Sequence, residues 1–589
     1  MNKFFKYFLA VIAGALVSVF ILTMGFFMII SSLASSASQE VKVKDNSILV
    51  LDLNGAITER NSNDILADLT AELTGSEPSV GLNQVLKAIK QAKDDDRIKG
   101  IYLESGMPST GYATIEEIRN ALLDFRASGK FIYSFNSTYS QKGYYLATAG
   151  DKVYLNPEGM LDFQGLAGSY TFYKGLLEKL GVEVQVFKHG EFKSAVEPYI
   201  LDKMSDPARL QAEVYLNSMW NHILNSISAS RGLTVEELNS AASMVPVMLP
   251  GEQLLDLKLI DGLRYKDEVI SELKALTNTE DNDDLNAIGV RAYSSVYLPK
   301  EKKKGLEKNK IAVIYAEGAI DDASSSGGID SEELSRTIRE ARRDSSIKAI
   351  VFRINSPGGS GLGSEIIWRE VKLAKETKPV VVSMGDYAAS GGYYIACAAD
   401  TIIAHPTTLT GSIGVFSIVP NAQKLINKIG ITTDRVITNE FADFPSLDRP
   451  FNADERRIMQ AYIERFYEVF LTRCADGRSV EKEAIGKIGE GRVWSGENAI
   501  GINLVDKLGG IDDAIAVAAN MAGIETYRIV ELPEQLSSIE QLMKSFSGNA
   551  TAKIMETLLG EEYKVLKTVK SLENAYPIQA RIPYEISVN

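Results

Sequence analysis

Cysteine and histidine are scarce in this sequence: two of the first and three of the second in 589 residues. Cys397 and Cys474 cannot make a disulfide framework. With His189, His222 and His405 at unrelated spacings they give no metal signature either, so no metal or other cofactor is expected. Positive charge is also short, with 63 Lys and Arg against 77 Asp and Glu and a formal net charge of −14. Phosphate binding needs a basic face, which argues against a nucleic-acid partner.

Hydrophobic residues make up 45% of the chain, an ordinary globular share, and the length exceeds what one core can organise, so two or more domains are expected. The N-terminus departs from that composition. Residues 7–30 carry no charge over 24 positions, enough for one helical crossing of a bilayer. The run reads as an uncleaved anchor, while the small residues of "LASSAS" leave a cleaved signal peptide open. Lys3 and Lys6 precede it, so the positive-inside rule places the rest of the chain on the extracytoplasmic side.

Beyond the N-terminal run, the chain is organised by an internal repeat. "SILVLDLNGAI" from Ser47 matches "KIAVIYAEGAI" from Lys310, and Ile98 matches Ile347 at an offset of 347 − 98 = 249. The same offset relates Gly143-Tyr144-Tyr145 to Gly392-Tyr393-Tyr394, Asp151 to Asp400 and Gly181 to Gly430. Each copy alternates short β-branched strands with amphipathic helices, which predicts an α/β fold with parallel strands and right-handed crossovers. The expected division is an anchor and stalk over 1–44, a first copy over 45–297, a charged linker over 298–309 and a second copy over 310–589. In each copy a long helical stretch, "DPARLQAEVYLNSMWNHILNSISASRG" or "NADERRIMQAYIERFYEVFLTRCADG", reads as a packing helix.

The candidate site lies where the copies differ. Ser390 follows a strand, "KPVVVSM", and an expected short turn, "GDYAA", and opens a helix. Free N–H groups at a helix start, together with the Gly-Gly of "NSPGG", suit an oxyanion, so Ser390 with donors from Gly359 and Gly391 reads as an acyl-transfer site. Position alone equally allows Ser390 to be a helix N-cap. No Gly-x-Ser-x-Gly elbow surrounds it, and the three histidines give a triad weak support. The offset exposes a different base: Gln141 stands opposite Ser390, and Lys193 stands opposite Ala442. One copy has the serine without the lysine, and the other has the lysine without the serine. A lysine can act as a base once burial lowers its pKa from about 10.4 toward 7–8, at a cost on the order of 4 kcal/mol. A cleft between the copies would supply that burial.

"NSPGG", "GDYAASGGYYIA", "TLTGSIGV" (408–415) and "FKSAVEP" (192–198), with the anchor and the tandem copies, closely resemble the long, two-domain bacterial signal peptide peptidases, the protease IV family. The resemblance covers nearly the whole chain. It implies tandem Clp protease/crotonase-like ββα superhelix domains and a Ser/Lys dyad serine endopeptidase that degrades cleaved signal peptides and other apolar peptides. It further implies an inner-membrane, single-pass protein with its catalytic domains on the periplasmic side, assembled as a homotetramer. By motif, Ser390 is the nucleophile, Lys193 the general base, Ser412 the residue that orients the lysine, and Gly359 and Gly391 the oxyanion hole. Two other functions fit parts of the pattern. A crotonase-like acyl-CoA enzyme would use the same glycine turns, although CoA is cytoplasmic; a membrane-anchored scaffold would use the repeats, although it has no need of complementary gaps.

Overall fold

The computed structural model describes residues 42–61, 79–296, 307–322, 328–535 and 579–581, together with Met24. Apart from Met24, the expected anchor over 7–30 lies outside these residues, as does most of the linker over 298–309. Among the described residues no helix is long and apolar enough to cross a membrane.

The first copy is built on strands β1 (Ser47–Asp52), β2 (Ile98–Glu104), β3 (Phe131–Tyr139) and β4 (Lys152–Leu161), paired in that order and all parallel. Short strands Ala287–Gly289 and Gly262–Leu263 close the two edges. The first copy also contributes β5 (Glu183–His189), which leaves this sheet altogether. In the second copy β6 (Lys310–Glu317), β7 (Ile347–Ser356) and β9 (Val380–Ala389) repeat the parallel order, with β8 (Gly358–Ser360) between the last two in sequence. Parallel strands covered on both faces need continuous apolar runs, and β7 is buried at nearly every position.

The repeat is visible in the helices. Helices α1 (Leu82–Asp94) and α2 (Tyr112–Arg126) correspond to α5 (Ser331–Arg343) and α6 (Gly361–Lys375) at an offset of 249 at both ends, as in 331 − 82 and 375 − 126. Between these pairs fall α3 (Gln141–Ala147) and the long α4 (Asp206–Arg231), and after them α7 (Gly391–Ala396) and the equally long α8 (Ala453–Arg478). Local chemistry sets several of these ends. Ser205 caps α4 by accepting from Ala208 N, Gly232 ends it with φ 67°, and Asn452 and Glu455 form a capping box on α8.

The expected turn over 385–389 is not a turn. Those residues extend β9, and Ala388 pairs with Ser356 after a register shift in which β7 and β9 realign. The strand therefore runs directly into Ser390, and the departure from the sequence reading has a local cause: Tyr387 N–H donates to Asn355 Oδ1 at 3.1 Å across that shift.

A third sheet draws on both copies. Strand β5 of the first pairs antiparallel with β10 (Val415–Asn421) of the second, His189 opposite Val415 through Glu183 opposite Asn421. The final strand, β11 (Gln579–Arg581), lies between β10 and β8 in the same sheet. Polar contacts reinforce the junction. The Asp386 carboxylate accepts from Gly111 N (3.2 Å) and Thr114 N (3.0 Å), so the second copy caps α2 of the first. Arg353, fully buried, reaches Glu59 and Glu117 of the first copy, each at 2.8 Å. Burial pushes Glu59 up to about 7 even against Arg353. For Glu117 burial acts in the same direction, but Arg353 and His405 more than offset it and bring the group down to about 2.

Candidate active site

Ser390 sits between β9 and α7 with φ 56° and ψ −115°, a backbone conformation unusual for any residue with a side chain. Its N–H donates to Gly411 O at 2.8 Å, which fixes the strand-to-helix corner. Its side chain makes no capping bond to α7, so the N-cap alternative fails on geometry. The hydroxyl is turned the other way, into a fully buried space where it is hydrogen-bonded to Lys193 Nζ at 2.8 Å.

Lys193 comes from the first copy, on the loop after β5. The pairing of β5 with β10 carries that loop across the junction and sets it beside Ser412, three residues before β10 begins. Nζ donates to the Ser412 hydroxyl at 3.0 Å and to the Ser412 carbonyl at 3.1 Å. Ser412 Oγ in turn donates to Gly491 O at 3.3 Å. The lysine is fully buried, and among the described residues no carboxylate pairs with it; Ala195, Val196 and Phe416 form a small apolar cluster next to it. Burial alone drives its pKa well below the usual lysine value, so the amine is far easier to deprotonate than a solvated one.

Two features that hold the lysine loop are absent from the sequence reading. Gln211 on α4 donates through Nε2 to Phe192 O (3.0 Å) and Ser194 Oγ (2.8 Å), bracketing Lys193, while its Oε1 accepts from Val493 N (3.2 Å) of the second copy. The signal available in the sequence was a polar residue on the buried face of a packing helix. The second is Gly491, with φ 80°: a Cβ there would stand 2.6 Å from Lys193 Cβ and 2.7 Å from its Cα and N. Only glycine permits that approach.

The remaining expected residues also converge. Gly391, directly after Ser390, opens α7. Gly359 lies in β8, between Ile320 on one side and Ala580 on the other. The neighbouring Gly358 N–H is already donated to Ser356 Oγ at 3.2 Å, which leaves Gly359 as the donor the Gly-Gly turn can offer. The histidines do not join this group. His189 pairs with Glu464, His222 with Glu116 at 2.8 Å, and His405 lies 3.5 Å from Glu117.

A buried serine hydroxyl hydrogen-bonded to a buried lysine that, among the described residues, no carboxylate pairs, inside a mixed α/β framework, is an arrangement suited to a serine hydrolase. Known proteins narrow this further. The model of Peptidase family S49 matches twice, over residues 124–280 and 372–525, and the two starts are separated by 372 − 124 = 248 positions, in step with the repeat. Protease 4 of Salmonella typhi is 37% identical over 530 residues, covering 87% of this chain and 84% of that one. The chloroplastic serine protease SPPA of Arabidopsis thaliana is 32% identical over 530 residues, covering 88% and 76%. Among solved structures, a point mutant of ClpP1 from Listeria monocytogenes matches 37% of this chain and 99% of its own at 17% identity and a TM-score of 0.25. The chain belongs to peptidase family S49, with two tandem copies of the family domain, and is a serine peptidase.

Proposed function

We propose that the protein is a Ser/Lys dyad endopeptidase in which Ser390 is the nucleophile and Lys193 its general base. The observation that carries this reading is the 2.8 Å contact between Lys193 Nζ and Ser390 Oγ, inside a buried site whose lysine is held well below its usual pKa. Neutral Lys193 takes the hydroxyl proton as Oγ attacks the peptide carbonyl carbon. The N–H groups of Gly359 and Gly391 stabilise the oxyanion, and protonated Lys193 then gives its proton to the leaving amine as the C–N bond breaks. Water, deprotonated by the same lysine, attacks the ester and frees Ser390. Ser412, bonded to Nζ through both its hydroxyl and its carbonyl, keeps the amine aimed at Oγ.

The substrates are cleaved signal peptides and other apolar peptides. Each copy, 45–297 and 310–589, is a Clp/crotonase-like superhelix joined by the linker over 298–309. The span over 7–30 anchors the chain in the inner membrane with both copies on the periplasmic side, and four chains assemble with their sites facing an enclosed cavity whose open rim lies at the bilayer. Support comes from the uncharged N-terminal run, the two lysines before it and the motifs "NSPGG", "GDYAASGGYYIA", "TLTGSIGV" and "FKSAVEP".

The test is hydrolysis of a fluorogenic apolar peptide by the purified full chain in detergent. Ser390→Ala and Lys193→Ala are each expected to lose turnover by at least ~10³-fold with the fold retained. Near-normal activity in either variant sinks the dyad.

A further inference from the structure

We infer that His189 is a positioning residue for the proposed base, holding the loop that carries Lys193 through Tyr467, an inference that rests on the dyad reading above. His189 is the last residue of β5, four positions before Lys193. Its ring stacks on the buried ring of Tyr467 on α8, with centroids 3.8 Å apart and planes 23° from parallel. Its Nδ1 donates to Glu464 Oε2, also on α8, so the ring is held at its edge as well as across its face. His189 is tied to α8 rather than to the dyad, and it acts on Lys193 only through what α8 holds.

Those contacts close a circuit around the lysine loop. The Tyr467 hydroxyl accepts from Glu490 N at 3.2 Å, and the Glu490 carbonyl accepts from Phe192 N at 3.0 Å. Phe192 precedes Lys193, and the chain from Phe192 back to His189 completes the ring. Gly190 sits inside it with φ 102°, where a Cβ would stand 2.3 Å from Glu490 O. A segment fixed at both ends and pressed against Glu490 between them has no room to slide, so Lys193 leaves the circuit in one direction. Helix α8 repeats the hold one residue earlier: Gln460 Nε2 donates to Lys188 O (3.2 Å) and to Glu464 Oε1 (2.7 Å). Residues 460, 464 and 467 follow the i, i+4, i+7 spacing of one helix face, and that face is given over to the end of β5.

The circuit matters to the chemistry because the amine is useful only while it is dry. Removing the imidazole opens a gap beside Tyr467 and frees the loop to lift from Glu490. Water that reaches Nζ then restores the solvation whose loss keeps Lys193 easy to deprotonate.

The test is kcat and KM for a fluorogenic apolar peptide across pH, measured on the full chain in detergent beside the urea midpoint of each variant. His189→Ala is expected to lose roughly tenfold in kcat with KM unchanged, and the midpoint of its kcat–pH curve is expected to move upward. His189→Phe, which returns a ring to the face of Tyr467, is expected to recover most of that loss. Tyr467→Phe keeps the stack but removes the acceptor for Glu490 N, and is expected to fall about as far as His189→Ala. The double variant His189→Ala/Tyr467→Phe is expected to fall no further, as two members of one circuit should. His189→Ala with wild-type kcat and pH midpoint, beside an inactive Lys193→Ala, overturns the inference and spares the dyad. A loss of kcat in His189→Ala with the pH midpoint unmoved, or with no recovery in His189→Phe, is general destabilisation and overturns it too. If His189→Ala does not fold, Tyr467→Phe decides, and a wild-type kcat and pH midpoint there overturn the inference. An active Lys193→Ala overturns both readings.

Discussion

Gly491→Ala acts on the site through the placement of Lys193, against whose backbone Gly491 is packed. The new Cβ would lie 2.6–2.7 Å from three atoms of Lys193, whereas carbon atoms in contact settle about 3.5–4.0 Å apart. The loop must therefore retreat by roughly 1 Å. Nζ now stands 2.8 Å from Ser390 Oγ, and a retreat of that size takes it past the ~3.2 Å limit of a good hydrogen bond. A misplacement of about 1 Å costs on the order of 10²-fold in turnover, or about 2.7 kcal/mol of transition-state stabilisation. Part of the effect could arise from forcing alanine into a left-handed conformation, a strain of about 1–2 kcal/mol. Gly430→Ala controls for this: Gly430 has φ 82°, close to the 80° of Gly491, and nothing within 4 Å of a new Cβ. The assay is kcat and KM on an apolar peptide together with denaturant unfolding of both variants. Gly491→Ala is expected to lose about 10²-fold in kcat, while Gly430→Ala loses stability and keeps its kcat. A Gly491→Ala enzyme within threefold of wild type, or a Gly430→Ala enzyme equally impaired, refutes the argument.

The same contacts dictate other outcomes. Lys193 has a folded pKa well below the 10.5 of its unfolded state, so between the two values the unfolded chain binds more protons and stability rises with pH. Lys193→Met is expected to be inactive yet more stable than wild type at neutral pH, as read by denaturant unfolding across pH. Wild-type kcat is expected to rise with pH through the folded pKa, as the neutral amine forms; a kcat that falls there contradicts the base assignment. Gln211→Met, which releases Phe192 O and Ser194 Oγ, is expected to lower kcat roughly tenfold with KM unchanged, a split that general destabilisation would not produce. Arg353→Met leaves Glu59 buried without its counter-charge and Glu117 with His405 alone, and is expected to cost about 3–5 kcal/mol in unfolding free energy. Glu59, raised from 4.5 to about 7, binds an extra proton in the folded state between those values, so stability falls as pH rises through that window, and Glu59→Gln is expected to flatten the slope.

What could be read from the sequence was whatever repeats or stays local. The offset of 249 set both ends of α1 against α5 and of α2 against α6, and the same count led from Ser390 to Gln141 and from Lys193 to Ala442. Illegible were the contacts between residues far apart in sequence. The grip of Gln211 on Val493, and the close approach of Gly491 to Lys193, join segments some 280–300 positions apart, and neither can be had from periodicity or composition. The extension of β9 through 385–389 was hidden for a related reason. "GDYAA" carries turn-forming residues, but Asp386 is used across the junction as the cap of α2, so its propensity is satisfied within a strand.

The division of the proposed dyad between two copies also has its origin in this geometry. In the first copy the place of Ser390 is held by Gln141, whose amide donates to Tyr112 Oη (3.0 Å) and accepts from Gln164 N and Gly165 N. That side chain ties the corner to its own surroundings and leaves no nucleophile. In the second copy Ala442, at the place of Lys193, is exposed and offers no base. The copies are joined where β5 crosses to β10, and that crossing is what delivers Lys193 to Ser390. Neither copy can then form the site alone, because the lysine becomes buried and easy to deprotonate only once the junction closes around it. The cap that Asp386 places on α2 and the ion pairs of Arg353 therefore bear on turnover as well as on stability. Loosening either returns the lysine to water, and to the charged form that cannot act as a base.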